Sequence, residues 1–304
     1  MSHHRWLGIL ALGALTLAGC GRTSSLQSPA ASGPSTGSDE AAVAQVVQSN
    51  PDFVNEPVWQ DETPTTVEGE SQGFAAIRPL RFWRQITQVE SDIHTEFGNP
   101  DPSGRPTLAL VTIRRHLHGS FNIVAGEVSV EDTSRILVRK PLDDLWTRKV
   151  ALVRMPVPND TGLTRWRLAG TSGVDIRTRD GQTRVLSLRI EAADMDTTIT
   201  DPLELHRLRH ILRLVPATEV RLTATTANPT DVVLFHGNDL RRRFRNNGNG
   251  THSFVFPVGT FPGLRHFGVD ALSHDTLFDD ALPYDSNAWI LAYAVIPVRL
   301  PAAN

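Results

Sequence analysis

The chain has 304 residues, of which 40% are hydrophobic and 21% are charged, a composition typical of folded globular proteins and not of disordered ones. Its 30 basic and 33 acidic residues give a formal charge of −3, which is too even to favour a nucleic-acid-binding protein. The length is sufficient for one large domain or two medium ones.

The N-terminus predicts an export signal. Arg5 supplies a positive charge, and the apolar run from Trp6 to Leu17 follows it. This run has the length of a signal peptide's apolar region and is too short to span a membrane. An exported protein with a single thiol cannot form an internal disulfide, so the lone Cys20 that follows needs another role.

The sequence Leu17-Ala18-Gly19-Cys20 resembles the lipobox of bacterial lipoproteins. The resemblance implies that residues 1–19 are removed as a signal peptide and that Cys20 is acylated, which would anchor the protein to a membrane. Gly21 stands where an Asp often retains such lipoproteins at the inner membrane, so the outer membrane is favoured. The body would then lie in the periplasm or at the cell surface.

The next residues predict a tether and then a helix. Residues 20–38 are rich in Ser, Thr, Pro, Gly and Ala, which is typical of a flexible linker. Ser38 is a candidate cap for a helix over residues 41–48, where valines recur at three-and-four spacing. Asn50-Pro51 predicts the end of this helix.

From Leu80 onward the apolar period approaches two, which indicates strands. Asp180-Gly181 predicts a hairpin between residues 174–179 and 183–190. Residues 203–214 fit both a helix and a strand, and the β-rich flanks favour a strand. Further strands are predicted over residues 82–89, 107–124, 148–155 and 166–169.

Pro216-Ala217-Thr218 is a plausible boundary between a β-rich domain with an N-terminal helix, residues 39–215, and a β-sandwich, residues 216–304. Short β runs at the spacing of a sandwich follow this boundary, over residues 220–226, 232–235, 240–244, 251–256, 264–271 and 288–295. The predicted fold class is therefore mainly β, either all-β or α+β, with antiparallel sheets and one early helix.

Two resemblances refine this prediction. The turn Asn246–Gly250, followed by Phe254 and Phe256, resembles the "NGDGTY" hairpins of bacterial Ig-like domains, with His252 at the family's Tyr position. It implies an Ig-like β-sandwich used as a spacer or adhesion module. The early helix followed by long strands resembles the NTF2 and cystatin-type folds, in which a helix packs on a curved sheet.

Three groups of residues are candidate metal ligands. His116 and His118 would share one face of a strand, although no third ligand is near in sequence and a plain polar face is the alternative. His206 and His210 would lie close enough to share an ion only on a helix, because on a strand they would be on one side but about 13 Å apart. The alternative is a surface pair in an Arg-rich segment. Carboxylates gathered near the C-terminus suggest a calcium site, because hard cations prefer oxygen ligands. They are Asp270, Asp275, Asp279, Asp280 and Asp285.

Other polar groups have weaker indications. The run Arg241–Arg245 could bind phosphate-bearing lipid or polysaccharide, or could be the solvated face of a hairpin. Asp143 and Asp144 are interpreted as loop or helix-cap acids. Thr171-Ser172-Gly173 does not complete the G-x-S-x-G pattern of a nucleophile elbow, and no phosphate-binding loop is present.

These patterns predict a lipid-anchored cell-envelope protein that acts as a binding or structural module, with a membrane and an envelope protein or polysaccharide as partners and no nucleic acid. Two alternatives stay open. One is an envelope hydrolase or transferase with a dispersed site in residues 75–215. The other is an adhesion module stabilised by calcium, which is the only cofactor considered.

Overall fold

Two β-sheets and three helices make up most of the regular structure. The computed structural model describes residues 36–54, 76–126, 135–157, 164–237 and 240–296. In chain order the elements are α1 (Thr36–Gln48), α2 (Pro51–Val54), β1 (Arg78–Pro100), β2 (Pro106–Gly126), β3 (Arg135–Pro156), β4 (Thr164–Thr178), β5 (Val185–Ala192), β6 (Met195–Ile199), β7 (His206–Arg207), a 3-10 turn (Leu208–His210), β8 (Leu212–Leu214), β9 (Glu219–Thr226), β10 (Val232–Gly237), β11 (Leu240–Arg243), β12 (Arg245–Asn246), β13 (Thr251–Pro257), β14 (Gly263–Leu272), α3 (His274–Phe278) and β15 (Ser286–Val295).

The strands form a large sheet and a small one. The large sheet has the order β1-β2-β3-β4-β15-β14-β10-β11, with the short β7 beside β4 and β8 beside β15. The small sheet has the order β12-β13-β9-β5-β6. All pairings are antiparallel except that of β8 with β15. The predicted mainly-β class with antiparallel sheets is confirmed.

One face of the large sheet is covered by the helices. Val43 and Val47 of α1 and Val54 of α2 are buried against apolar residues of β1 to β4, such as Phe121 and Trp166, in a first core. Arg148 of β3 and Thr171 of β4 both donate hydrogen bonds to the carbonyl of Phe53, which holds α2 on the sheet. The predicted early helix is confirmed, although α1 begins before Ser38.

The opposite face of the large sheet is covered in part by the small sheet. A second core fills the space between them, with aromatic rings of β10, β13, β14 and β15 in contact. The two sheets therefore pack as a sandwich in this region. Burial of both faces of β15 explains its continuous apolar run from Ala288 to Val295.

Strand pairs cross the boundary that the sequence predicts at 215/216. β4 pairs with β15, and β5 pairs with β9, so residues on each side of 215/216 contribute to both sheets. The described residues, which begin at Thr36, also fall in one compact unit. The sandwich is completed by β5 and β6, which precede residue 216, since β5 pairs with the edge of β9 that β13 does not occupy.

The turn predictions have mixed outcomes. Asn246–Gly250 does connect the paired strands β12 and β13, with positive φ at Gly248 and Gly250. The hairpin predicted at Asp180-Gly181 is wrong, because here the chain leaves the large sheet at β4 and enters the small sheet at β5. The ambiguous segment 203–214 contains two short strands, β7 and β8, separated by a 3-10 turn.

The predicted leader, the lipobox with Cys20 and most of the predicted tether lie outside the described residues, and α1 starts within the last residues assigned to the tether. Among the residues described, no helix is both long and apolar enough to cross a membrane.

Candidate metal centre

A polar surface lies on the large sheet beside the small sheet. It occupies β1, β2 and β3 on the face opposite α1, because residues of β2 alternate between the first core (Ile113, Leu117) and this surface (His116, His118). Strand register places Glu90 of β1 opposite His116 and Asp143 of β3 opposite His118. We call these four side chains the imidazole–carboxylate cluster.

A β-bulge sets which residue of β1 faces the imidazoles. The β1–β2 register shifts between Ile86 and Gln88. Without this shift Val89 would stand opposite His116, whereas the bulge moves Glu90 there. Gly119 permits the close strand approach at the bulge, because a Cβ at that position would lie 1.9 Å from the carbonyl oxygen of Gln85.

Three members of the cluster converge. Glu90, His116 and His118 each place one potential ligand atom so that all three atoms lie within 4.8 Å of one another. Within the ranges of the chain that the structure describes, this is the one group of three or more His, Cys, Asp or Glu side chains that meets this distance. Glu90 is exposed and both histidines are partly exposed, so an ion can reach them from solvent.

Asp143 and Arg179 flank the converging residues. Asp143 Oδ1 lies 3.5 Å from His118 Nδ1, and Asp143 Oδ2 lies 3.3 Å from Arg179 Nε. Arg179, just after β4, also places Nη2 3.0 Å from His116 Nδ1. A guanidinium offers only donors, so His116 Nδ1 accepts this hydrogen bond and Nε2 carries the proton of the neutral ring.

A second polar group lies on the other face, within the first core. The Arg84 guanidinium donates two hydrogen bonds to Asp270, at 2.7 and 2.9 Å, and its Nε donates to Tyr284 Oη at 2.8 Å. Tyr284 in turn donates to Asp144 at 2.9 Å, and Thr178 donates to the other oxygen of Asp144. Arg84, Asp144, Asp270 and Tyr284 are all buried. We call these side chains, with Thr178, the buried network.

The carboxylates of the buried network have opposite pKa shifts. Burial raises the pKa of Asp144 to about 6, since its hydrogen bonds and the more distant Arg84 offset only part of the desolvation. Burial also acts to raise the pKa of Asp270, but Arg84 and His236 outweigh it and hold that pKa well below its usual value. Because all four side chains are excluded from solvent, this geometry supports a structural role for the network.

The C-terminal aspartates that the sequence suggests as calcium ligands take part in several separate contacts. Asp270 pairs with Arg84 in the core. The backbone carbonyls of Asp275 and Asp279 accept from the buried Lys140, and the Asp279 side chain accepts from the amides of Ala281 and Leu282. Asp285 accepts from the amides of Gln182 and Thr183. Among the described residues, no three of these five aspartates bring carboxylate oxygens within 4.8 Å of one another.

The remaining sequence candidates are also dispersed. His206 lies in β7 and His210 ends the following 3-10 turn. Neither belongs to the converging group of Glu90, His116 and His118. In the basic run, Arg241 stacks on the Phe82 ring with its Cζ 4.5 Å from the centroid, while Arg242 is exposed on β11, an edge strand.

His116 and His118 are recognisable as candidate ligands in the sequence, whereas their neighbours in the cluster are not. Asp143 and Asp144 are not loop acids: both lie in β3, on opposite faces, one on the polar surface and one in the core. The alternation of charge and apolar residues around Trp146 could have indicated a strand. Glu90 carried no such signal, because its position depends on the bulge. No family model matches the chain, and no curated protein or solved structure gives a significant match.

Proposed function

We propose that the protein is a lipid-anchored cell-envelope protein whose β-rich body acts as a binding module. The proposed anchor is an acylated Cys20, and the body would reach the partner through the tether that precedes α1. Two or more acyl chains would give lasting attachment, since each buried methylene contributes about 0.8 kcal/mol and one chain is marginal.

The observation that supports a binding role is the polar surface on β1 to β3. Its imidazoles and carboxylates come from three adjacent strands, which fixes their backbone spacing. The opposite side of the same strands is covered by the first core, with Leu117 and Trp146 buried. A rigid sheet with one buried and one exposed face presents functional groups in a defined arrangement with little loss of conformational entropy on binding.

The Ig-like resemblance supports the same proposal, although the sandwich contains more strands than the resemblance implies. A sandwich exists around the second core, but it uses β5 and β6 in addition to the strands after residue 216. We infer that the sandwich serves as a spacer or adhesion module. It continues along the large sheet into strands β1 to β4, which are covered by the helices on one face and present the polar surface on the other.

Membrane fractionation with mass spectrometry tests the anchor. The native protein should sediment with membranes and have the mass of residues 20–304 plus acyl chains. Cys20→Ala should move it to the soluble fraction, whereas the nearby Ser24→Ala, a matched control, should leave it at the membrane. An unmodified thiol with residues 1–19 still attached would refute the proposal.

A further inference from the structure

We propose that Glu90, His116 and His118 bind a divalent transition-metal ion of the Zn²⁺ type, with Asp143 as a positioning residue. The inference names a ligand for the polar surface and in that respect rests on the proposed function. Its chemistry depends only on the three strands, so it can be tested separately from the lipid anchor.

The donor set favours this class of ion. Two imidazole nitrogens and one carboxylate oxygen are typical ligands of Zn²⁺ and its neighbours in the first transition series, whereas Ca²⁺ and Mg²⁺ prefer oxygen alone. Three protein ligands leave a fourth tetrahedral position for water or for a group from a partner. An ion bound here would thus be accessible from the solvent side of the sheet.

The distances are close to those of a bound ion. In a tetrahedral zinc site, ligand atoms about 2.1 Å from the ion are about 3.4 Å apart. The three ligand atoms lie within 4.8 Å of one another, so they need to approach by at most about 1.4 Å. The imidazole centroids are 6.3 Å apart and the rings are inclined at 57°. Rotation about the χ angles of the exposed Glu90 and the two partly exposed histidines would bring the three ligand atoms to coordination distance.

Asp143 prepares His118 for coordination. A carboxylate that accepts the Nδ1 proton of a histidine leaves Nε2 unprotonated and orients the ring. The 3.5 Å separation between Asp143 Oδ1 and His118 Nδ1 allows this contact to shorten as the ring turns toward an ion.

Arg179 competes with the ion for His116. Its guanidinium donates to His116 Nδ1, which leaves the only other nitrogen of the neutral ring protonated. Metal binding through either nitrogen therefore requires a change at this hydrogen bond. Asp143 offers Arg179 an alternative partner, since its carboxylate already lies 3.3 Å from Nε. Weakening the Arg179 contact should strengthen metal binding.

The test is titration of the untagged full-length protein with Zn²⁺ in competition with a chromophoric chelator. The wild type should bind one Zn²⁺ at this site, in preference to Ca²⁺ and Mg²⁺. The double variant His116→Ala/His118→Ala should lose this equivalent, and Glu90→Gln and Asp143→Asn should each lower the affinity by about tenfold or more. Arg179→Gln should raise the affinity several-fold.

A matched control separates this site from general surface binding. His94 of β1 is also an exposed histidine beside a carboxylate, with Nε2 3.6 Å from Glu96 Oε1. His94→Ala should leave the zinc affinity and stoichiometry unchanged. Equal binding by the wild type and the His116/His118 double variant, or a wild type that takes up no Zn²⁺, would overturn the inference. Circular dichroism of each variant verifies folding, and a variant that unfolds is replaced by His116→Gln/His118→Gln.

The anchor and the metal site give independent results. Cys20→Ala should release the protein from membranes without changing zinc binding. Loss of zinc binding in the double variant should leave the protein at the membrane.

Discussion

Replacing Asp270 by Asn should destabilise the fold strongly, because it leaves the Arg84 guanidinium buried without its main counter-charge. Asp270 is fully buried, Arg84 is 5% exposed, and they share two hydrogen bonds of 2.7 and 2.9 Å. Removing one partner of a buried ion pair costs about 3–5 kcal/mol. The asparagine keeps one acceptor, and Tyr284 still accepts from Arg84 Nε, so we expect about 3 kcal/mol.

Urea unfolding followed by tryptophan fluorescence measures this loss in the free energy of unfolding. In a thermal melt the same loss should lower the melting temperature by roughly 10 °C, at 2–4 °C per kcal/mol for a domain of this size. The matched control is Asp196→Asn, because Arg189 and Asp196 also share two hydrogen bonds, at 2.9 and 2.7 Å, but are 49% and 58% exposed. Solvent screens such a pair, so the control should leave the midpoint unchanged.

The double variant Arg84→Met/Asp270→Leu tests the stated cause. If the cost of the single variant is an unpaired buried charge, removing both charges should recover much of the lost stability. Equal destabilisation by Asp270→Asn and Asp196→Asn, or a double variant less stable than Asp270→Asn alone, would refute the reasoning.

Three further predictions concern other contacts. Because burial raises the pKa of Asp144 to about 6, the stability linked to its protonation is fully present below its ordinary pKa of 3.8 and is lost as the pH rises to 6. The unfolding free energy of the wild type minus that of Asp144→Asn should therefore decrease by about 2 kcal/mol between pH 4 and pH 7, and a difference that does not change with pH would contradict this. Burial lowers the pKa of His252 to about 4. The stability of the wild type should therefore fall relative to that of His252→Gln as the pH decreases from 6.5 to 4. Thermal melting measures this, and parallel pH profiles of the two proteins would argue against it. Gly119→Ala should reduce both stability and zinc affinity, because its Cβ would clash with the Gln85 carbonyl at the bulge. The control is Gly98→Ala, whose added Cβ would meet nothing within 4 Å. Equal unfolding midpoints for the two variants would show that the bulge tolerates the Cβ.

Most individual elements were predictable from sequence because their signals are local. Valines at three-and-four spacing indicated α1, and alternating residues indicated β1, β2 and the strands after residue 216. The paired histidines of β2 were recognisable for the same reason, since residues two apart on a strand share a face. Local signals also explain the error at Asp180-Gly181, whose turn chemistry does not reveal which sheet the next strand joins.

The antiparallel β structure behind an early helix is readable from the amino-acid sequence alone, which also predicts a lipid anchor at Cys20. Three arrangements become visible only in the folded chain: strands on both sides of residue 215 share two sheets, Arg84 meets Asp270 across 186 positions, and Glu90 stands opposite His116. These arrangements depend on strand register and on desolvation in a shared core. Neither is encoded in the spacing of neighbouring residues, because pairing between distant strands is selected by the burial of the whole sheet.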